Sequence, residues 1–316
     1  MFVYRDDIHL PQLDLWLDPR RPRPRAFISH AHGDHIGRHE WTLTTPATAR
    51  LLRHRLGGAL AIDERPFGES FDLGPARAKL HPAGHILGAA QLEIEQRGER
   101  LVYTGDFRLK PSATVGPAAP ISCDTLIMEC TFGRPHCRFP PREQVFARFV
   151  EEVVALWKEG RTPVLLAYAL GRSQELLKLL QPVPWRVHLA RPIYQMVKVY
   201  EELGIEFGPY ELARPGASDG ALLVVPPHWG RSELVRRARA PCRIALTGWA
   251  ADGRPPYAAD RCLPFSDHAD FDELVEYVET ARPRAVYTLQ AEAMFLAELR
   301  ARGFSAHPVE SKVWMG

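Results

Sequence analysis

No stretch of this chain is both long and apolar enough to cross a bilayer as a helix, so a helical membrane protein is not expected. The opening residues, Met1-Phe-Val-Tyr-Arg-Asp-Asp7, lack a basic region followed by an apolar core. The reading therefore expects no signal peptide and a cytoplasmic protein. Cysteine is scarce and odd in number: Cys123, Cys130, Cys137, Cys242 and Cys262. An odd set with no export signal argues for free thiols in a reducing compartment. The spacing of the first three fits no common zinc pattern, so packed thiols are expected. Lysine is sparse beside arginine, and the net charge is only +2. A uniformly basic surface is excluded, but a local basic track is not. Two arginine runs stand out, Arg20, Arg21, Arg23 and Arg25, and then Arg231, Arg236, Arg237, Arg239 and Arg243. Each reads equally as a solvated surface or as a contact for nucleic acid. Neither an internal repeat nor a low-complexity tract is visible.

Against that plain background one stretch is unusual: Phe27-Ile-Ser-His-Ala-His-Gly-Asp-His-Ile-Gly37. His30, His32, Asp34 and His35 fall within six residues. An ordinary helix or strand has no reason to crowd imidazoles and a carboxylate in this way. Ala26-Phe27-Ile28 reads as the end of a buried strand, and Gly33 and Gly37 permit tight turns after it. On such a turn His30 and His32 can aim at one point, while Asp34 and His35 swing toward a second. Imidazole nitrogen and carboxylate oxygen are the usual ligands of Zn²⁺ and similar ions.

Along the chain, Leu13 to Asp18 alternates as a strand, and Pro19, Pro22 and Pro24 forbid helix after it. Residues 46–60 read as a helix stopped by Gly57 and Gly58. Strands are expected over 77–80, 91–96, 100–104 and 125–129, with a hairpin at Arg97-Gly98. Asp18, His30, His85, Asp106 and Glu129 each close a strand or the Gly-bearing loop after one. Ligands on loops held by rigid strand ends are a common way to build a metal centre. From about Arg134 the character changes. A helix over 143–158, an apolar strand over 162–168 and a helix over 170–180 are followed by strands at 186–189, 221–225 and 243–246. This block reads as a parallel α/β domain, with Arg172 at a helix start open to a phosphate. Leu263-Pro-Phe-Ser266-Asp267-His268-Ala-Asp270 then returns to the earlier style. A helix over 273–281, a strand over 285–289 and a helix over 291–302 close the pattern.

The His-x-His-x-Asp-His run resembles the signature of the metallo-β-lactamase-fold hydrolases. Together with Pro82-Ala-Gly-His85, Thr104-Gly-Asp106-Phe, Met128-Glu129, Gly171-Arg172-Ser-Gln-Glu175, Gly248-Trp249 and Ser266-Asp-His268, it resembles the β-CASP branch of that fold. Within the branch the chain is similar to bacterial ligase-associated DNA exonucleases and to DNA repair nucleases of the Artemis and Apollo type. The fold implied is an αββα sandwich with an inserted α/β domain. Its expected boundaries are 1–133 and 262–316 for the sandwich and 134–261 for the insert. The resemblance implies that His30, His32, His85 and Asp106 hold one ion, and that Asp34, His35 and Asp106 hold another. Asp18 would orient the cluster from behind. Asp34, Glu129 and His268 would be catalytic, the last two as the pair handling the leaving-group proton. Ser266 and Arg172 would contact phosphate. Gln290, in Tyr287-Thr-Leu-Gln290, stands where many relatives carry a metal-binding histidine.

These matches imply a Zn²⁺-dependent DNA exonuclease, with one or two ions and with Mn²⁺ or Mg²⁺ suited to a weaker second site. Digestion would run 5′ to 3′ on single-stranded or end-processed DNA in repair, and a DNA ligase and a helicase are the partners family analogy offers. Phe132, Trp229, Trp249 and Tyr257 are candidates for stacking on bases, and Arg172 and the two arginine runs for phosphate contacts, while the arginine-rich stretch that relatives carry after Gly248-Trp249 is reduced here to Arg254. The alternatives are an RNA-processing ribonuclease of the same architecture, or a weakened member that binds nucleic acid without cutting it. No membrane and no small-molecule cofactor are expected.

Overall fold

The computed structural model describes residues 2–217, 219–251, 253, 259–290 and 292–309. Arg254 and Tyr257 lie outside them. The chain divides into two units, Met1–Pro135 with His268–Gly316, and His136–Asp267.

The first unit is built from two sheets. The six-stranded sheet runs in chain order through Val3–Arg5, Asp7–Leu10, Leu15–Leu17, Arg25–Phe27, Trp41–Thr44 and Ile62–Glu64. The seven-stranded sheet is ordered Ala306–Pro308, Ala285–Thr288, Thr125–Met128, Glu99–Tyr103, Ala90–Gln96, Ala76–Pro82 and Ser70–Leu73. Alternation along the strands tells which face is inward. In Ala90–Gln96 the residues Leu92 and Ile94 are buried toward the other sheet while Glu93 and Glu95 are more exposed, and Gln91, on the opposite face, is buried as well. Leu15, Leu17, Phe27 and Leu43 from one sheet pack with Leu80, Leu92, Tyr103 and Ile127 from the other in a single core. The helix Phe271–Ala281 contributes nothing to that core. Its Tyr277 hydroxyl donates to Gln91 at 2.5 Å, so it covers the outer face of the seven-stranded sheet. Asp270 caps this helix by accepting from Glu273 N–H at 3.0 Å, and Glu273 reciprocates to Asp270 N–H at 3.2 Å. The other oxygen of Glu273 accepts from Leu109 and Lys110 N–H, which ties the helix start to the loop after Asp106.

The second unit carries a six-stranded, wholly parallel sheet, ordered Glu211–Leu212, Val187–Leu189, Leu222–Val225, Pro163–Leu166, Cys242–Leu246 and Arg261–Leu263. Its central strands are continuous apolar runs because both faces are covered. The helices Arg142–Lys158, Arg172–Leu179 and Arg191–Glu202 pack on one face through Phe149, Leu176 and Ile193. Val235 from the short helix Glu233–Arg236 and Trp229 pack on the other. Residues 262–267, read from sequence with the closing segment, group with this unit, since Arg261–Leu263 pairs in parallel with Cys242–Leu246. No helix among the described residues is long and apolar enough to cross a membrane.

One buried base stands out in the second sheet. His188, on Val187–Leu189, makes no hydrogen bond at either ring nitrogen among the described residues, and Glu211 is 3.9 Å away. Burial holds its pKa below the usual histidine value. Such a group is neutral in the fold and gains a proton on unfolding below about pH 6.5, so stability is full above that pH and falls beneath it. The urea midpoint of the chain is expected to drop between about pH 7.5 and about pH 5.5, and to drop less in His188→Leu. Equal drops in both proteins would remove this role from His188.

Candidate metal centre

The loops that follow the strands of the first unit converge on Asp106. This residue is 6% exposed and follows Glu99–Tyr103 through Gly105, whose φ is +55°. A Cβ at Gly105 would lie 2.6 Å from that of Ser29, so only glycine lets the Asp106 loop close on the histidine loop. His30 Nε2 lies 3.5 Å from Asp106 Oδ2, His85 Nε2 3.7 Å and His35 Nε2 3.4 Å. His85 Nε2 and His32 Nδ1 are 3.0 Å apart. One ligand atom from each of His30, His32, His85 and Asp106 falls within 4.8 Å of the others. Gly84, beside His85, has the same necessity as Gly105, since a Cβ there would meet the Arg108 carbonyl at 2.3 Å.

Two observations fit a divalent cation at this point. His30 Nε2 is fully buried and makes no hydrogen bond among the described residues, an arrangement that wastes a polar atom unless it ligates something. The ionisation states also match what a metal needs, a neutral imidazole and a charged carboxylate. Burial, helped by the neighbouring His35, holds His30 well below its usual pKa. Burial pushes the Asp106 carboxyl up, but His35 and His268 outweigh it and hold the group well below the carboxylate range. His35 shows the reverse balance: burial lowers it, while Asp106 and Asp18 carry it well above its usual value. The spot beside His35 is thus arranged for positive charge. Separations of 3.5 and 3.7 Å are close to those between tetrahedral ligands at about 2.0–2.1 Å from zinc.

Asp18 stands behind the cluster. Its Oδ1 accepts from Ser29 N–H at 2.6 Å, and its Oδ2 faces donors from Ser29 Oγ at 2.5 Å, Tyr103 Oη at 2.8 Å and His35 Nδ1 at 2.9 Å. The residue is held at φ +43°, a left-handed conformation that aspartate tolerates better than most residues. Asp34 lies at the rim: its side chain is 61% exposed and 3.9 Å from His35 Nε2. Glu129 is fully buried after Thr125–Met128, and its two oxygens lie 3.0 and 2.9 Å from His268 Nδ1. The other nitrogen of His268 is 3.9 Å from Asp106.

Other residues singled out from sequence fall elsewhere. The Gln290 amide oxygen accepts from Cys130 N–H at 2.9 Å, so it serves the main chain beside Glu129. Phe132 is 2% exposed and packs edge-on near His268, which removes it as a stacking surface. Within the second unit, Ser266 is buried and its carbonyl accepts from Arg142 at 2.5 Å. Arg172 is also buried and ion-paired with Asp267. An arginine so engaged does not present itself to solvent as the helix start at Gly171-Arg172 suggested. Trp229 is half-buried against the second unit's core. Sequence reasoning missed Ser29, Tyr103, Thr131 and Glu273. The only signals are the place of Ser29 next to His30 and of Glu273 three residues after Asp270, while Tyr103, three residues before Asp106, and Thr131, two after Glu129, carry none.

No protein-family model matches the chain. It is similar to a probable DNA ligase of Opitutus terrae, 40% identical over 308 residues, which cover 95% of this chain and 30% of that protein. It is similar to the 5′ exonuclease Apollo of Gallus gallus, 27% identical over 302 residues, 87% of this chain and 60% of Apollo. It is also similar to an RNase J-like protein of Methanocaldococcus jannaschii, 35% identical over 184 residues, 49% of this chain and 42% of that one. The chain thus spans less than two thirds of each of these relatives. A crystal structure of a protein of unknown function from Enterococcus faecalis V583 superposes with a TM-score of 0.58 at 16% identity, covering 83% of this chain and 74% of that one. That likeness bears on the fold alone.

The cluster makes a direct prediction about metal content. The purified chain is expected to bind a divalent ion, and His85→Ala or Asp106→Ala to abolish tight binding. Asp18→Asn keeps a side chain that tolerates the left-handed backbone, and is expected to weaken affinity about 10- to 100-fold. Competition with a chelator measures all three, and wild-type affinity in Asp106→Ala would dissolve the centre.

Proposed function

Since the chain belongs to the β-CASP branch of the metallo-β-lactamase-fold nucleases, we propose that it is a metal-dependent DNA exonuclease. The observation that carries this reading is the meeting of four ligands at Asp106 with the Glu129–His268 pair beside them. In this reading His30, His32, His85 and Asp106 hold one ion, Zn²⁺. Asp34, His35 and Asp106 hold a second, more open position that Zn²⁺, Mn²⁺ or Mg²⁺ can fill. Such ions polarise a phosphoryl oxygen and lower the pKa of water from about 16 toward about 7.

The chain's own residues do the rest. Glu129 accepts from His268 Nδ1, which orients the ring and leaves Nε2 facing the Asp106 side. From there His268 delivers a proton to the departing oxygen, a contribution of about 10² to 10⁴-fold in such reactions. Asp18 holds His35 and the Ser29 main chain in register. We assign Ser266 to a phosphate contact. Arg172, whose charge is answered by Asp267, is better suited to holding that segment than to meeting phosphate itself. The unit of residues 1–135 and 268–316 is read as the sandwich and the parallel α/β unit of residues 136–267 as the inserted domain, a few residues from the boundaries expected from sequence.

DNA as substrate is supported by the match of nearly the whole chain to under a third of a protein named as a probable DNA ligase, and by Apollo. The same match supports a DNA ligase as functional partner, and a helicase follows by family analogy. We read the protein as cytoplasmic and engaged in repair, working 5′ to 3′ on single strands or processed ends. The similarity to an RNase J-like protein favours the second reading, an RNA-processing nuclease.

Digestion of matched end-labelled DNA and RNA strands, with and without a 5′-phosphate, in Zn²⁺, Mn²⁺ and Mg²⁺, tests this reading. DNA is expected to shorten from its 5′ end faster than RNA, and Asp106→Asn to lose at least about 10²-fold. Faster RNA cleavage would transfer the assignment to the ribonuclease reading.

A further inference from the structure

The ring of His268 can be held no more firmly than the carboxylate that holds it. Glu129 is fully buried, and both of its oxygens have donors. Oε1 accepts from Phe107 N–H at 2.9 Å, and Oε2 accepts from the Thr131 hydroxyl at 2.6 Å. A carboxylate only accepts, so the nitrogen of His268 that faces it, Nδ1, carries a proton. Of the two braces on Glu129, the first is main chain and locked in place, since the Phe107 carbonyl also accepts from Ala269 N–H at 2.7 Å. The second is a side chain. Its length falls in the range of charge-assisted O–H···O⁻ bonds, about twice as strong as neutral ones. The turn that presents Thr131 is itself gripped. Cys130 N–H donates to Gln290 at 2.9 Å and Gly133 N–H to the Cys130 carbonyl at 2.9 Å. A Cβ at Gly133 would lie 2.9 Å from that of Phe295, so the turn has no slack.

We propose that Thr131 is a positioning residue for the leaving-group step, acting through Glu129 on His268. This rests on the phosphodiesterase reading above. In that step water oxygen bonds to phosphorus and the bond from phosphorus to the departing oxygen breaks. The departing oxygen keeps the electron pair and takes the Nε2 proton of His268, and the proton released by water restores the balance. Thr131 sets where that Nε2 proton is delivered. Without the hydroxyl, Oε2 of Glu129 keeps, among the described residues, only its contact to His268, and carboxylate and ring can swing together.

Thr131→Val preserves shape and removes the hydroxyl, while Thr131→Ser preserves the hydroxyl. The full chain is assayed on a DNA oligonucleotide, whose leaving alkoxide needs a proton, and on bis(p-nitrophenyl) phosphate, whose leaving group needs almost none. Thr131→Val is expected to lose about 10- to 100-fold on the oligonucleotide, a part of what general acids supply, and less than about 3-fold on the activated ester. Thr131→Ser should stay within about 3-fold of wild type on both. The inference is overturned if Thr131→Val cuts the oligonucleotide at the wild-type rate, if both substrates suffer equally, or if serine fails to rescue. A wild-type chain inert toward both substrates in all three metals would overturn the phosphodiesterase reading, and this assignment with it.

Discussion

A carboxylate encircled by imidazoles is the constraint around which the first unit is organised. Asp106 lies within 3.4 to 3.9 Å of ring nitrogens from His30, His35, His85 and His268. Those residues come from three loops far apart in sequence, so the cluster exists only if several strand ends stop at the same level. Burial alone would drive a carboxylate toward its neutral form, and the imidazoles reverse that tendency. The same grouping leaves His30 neutral with a bare buried nitrogen. A pocket with this pattern of charge suits a cation better than it suits any side chain.

The second unit solves a different problem. Its parallel strands are apolar on both faces, and buried ion pairs hold the start of its helices to residues 265–267. Arg142 pairs with Glu175 and stacks over Phe265, and Arg172 pairs with Asp267. Pairs of this kind add little net stability over apolar packing, but breaking one strands a buried charge. They therefore fix a geometry more than they strengthen the fold.

Much of this was legible in the chain because the chemistry is local. His30 to His35 declare themselves by crowding, and His85, Asp106 and Glu129 by ending apolar runs. The parallel domain was legible from continuous apolar strands such as Pro163–Leu166. Short edge strands such as Val3–Arg5 and Ile62–Glu64 were not, because three residues carry no period to read. What Gln290 and Arg172 do was not legible, for another reason. Each was judged by its type and near neighbours, while its partner, Cys130 or Asp267, lies far away in sequence. Thr131 and Tyr103 were invisible on the same account, since a hydroxyl aimed at a carboxylate leaves no trace in composition.

Asp18 shows how narrow the alphabet at such a place becomes. One carboxylate there meets four donors while its own backbone sits at φ +43°. Glycine would suit the backbone but supply no oxygen, asparagine would trade an acceptor for a donor, and glutamate would overreach by a methylene. Anyone grafting this ligand set onto a foreign scaffold would have to transplant the kink at residue 18 along with the histidines.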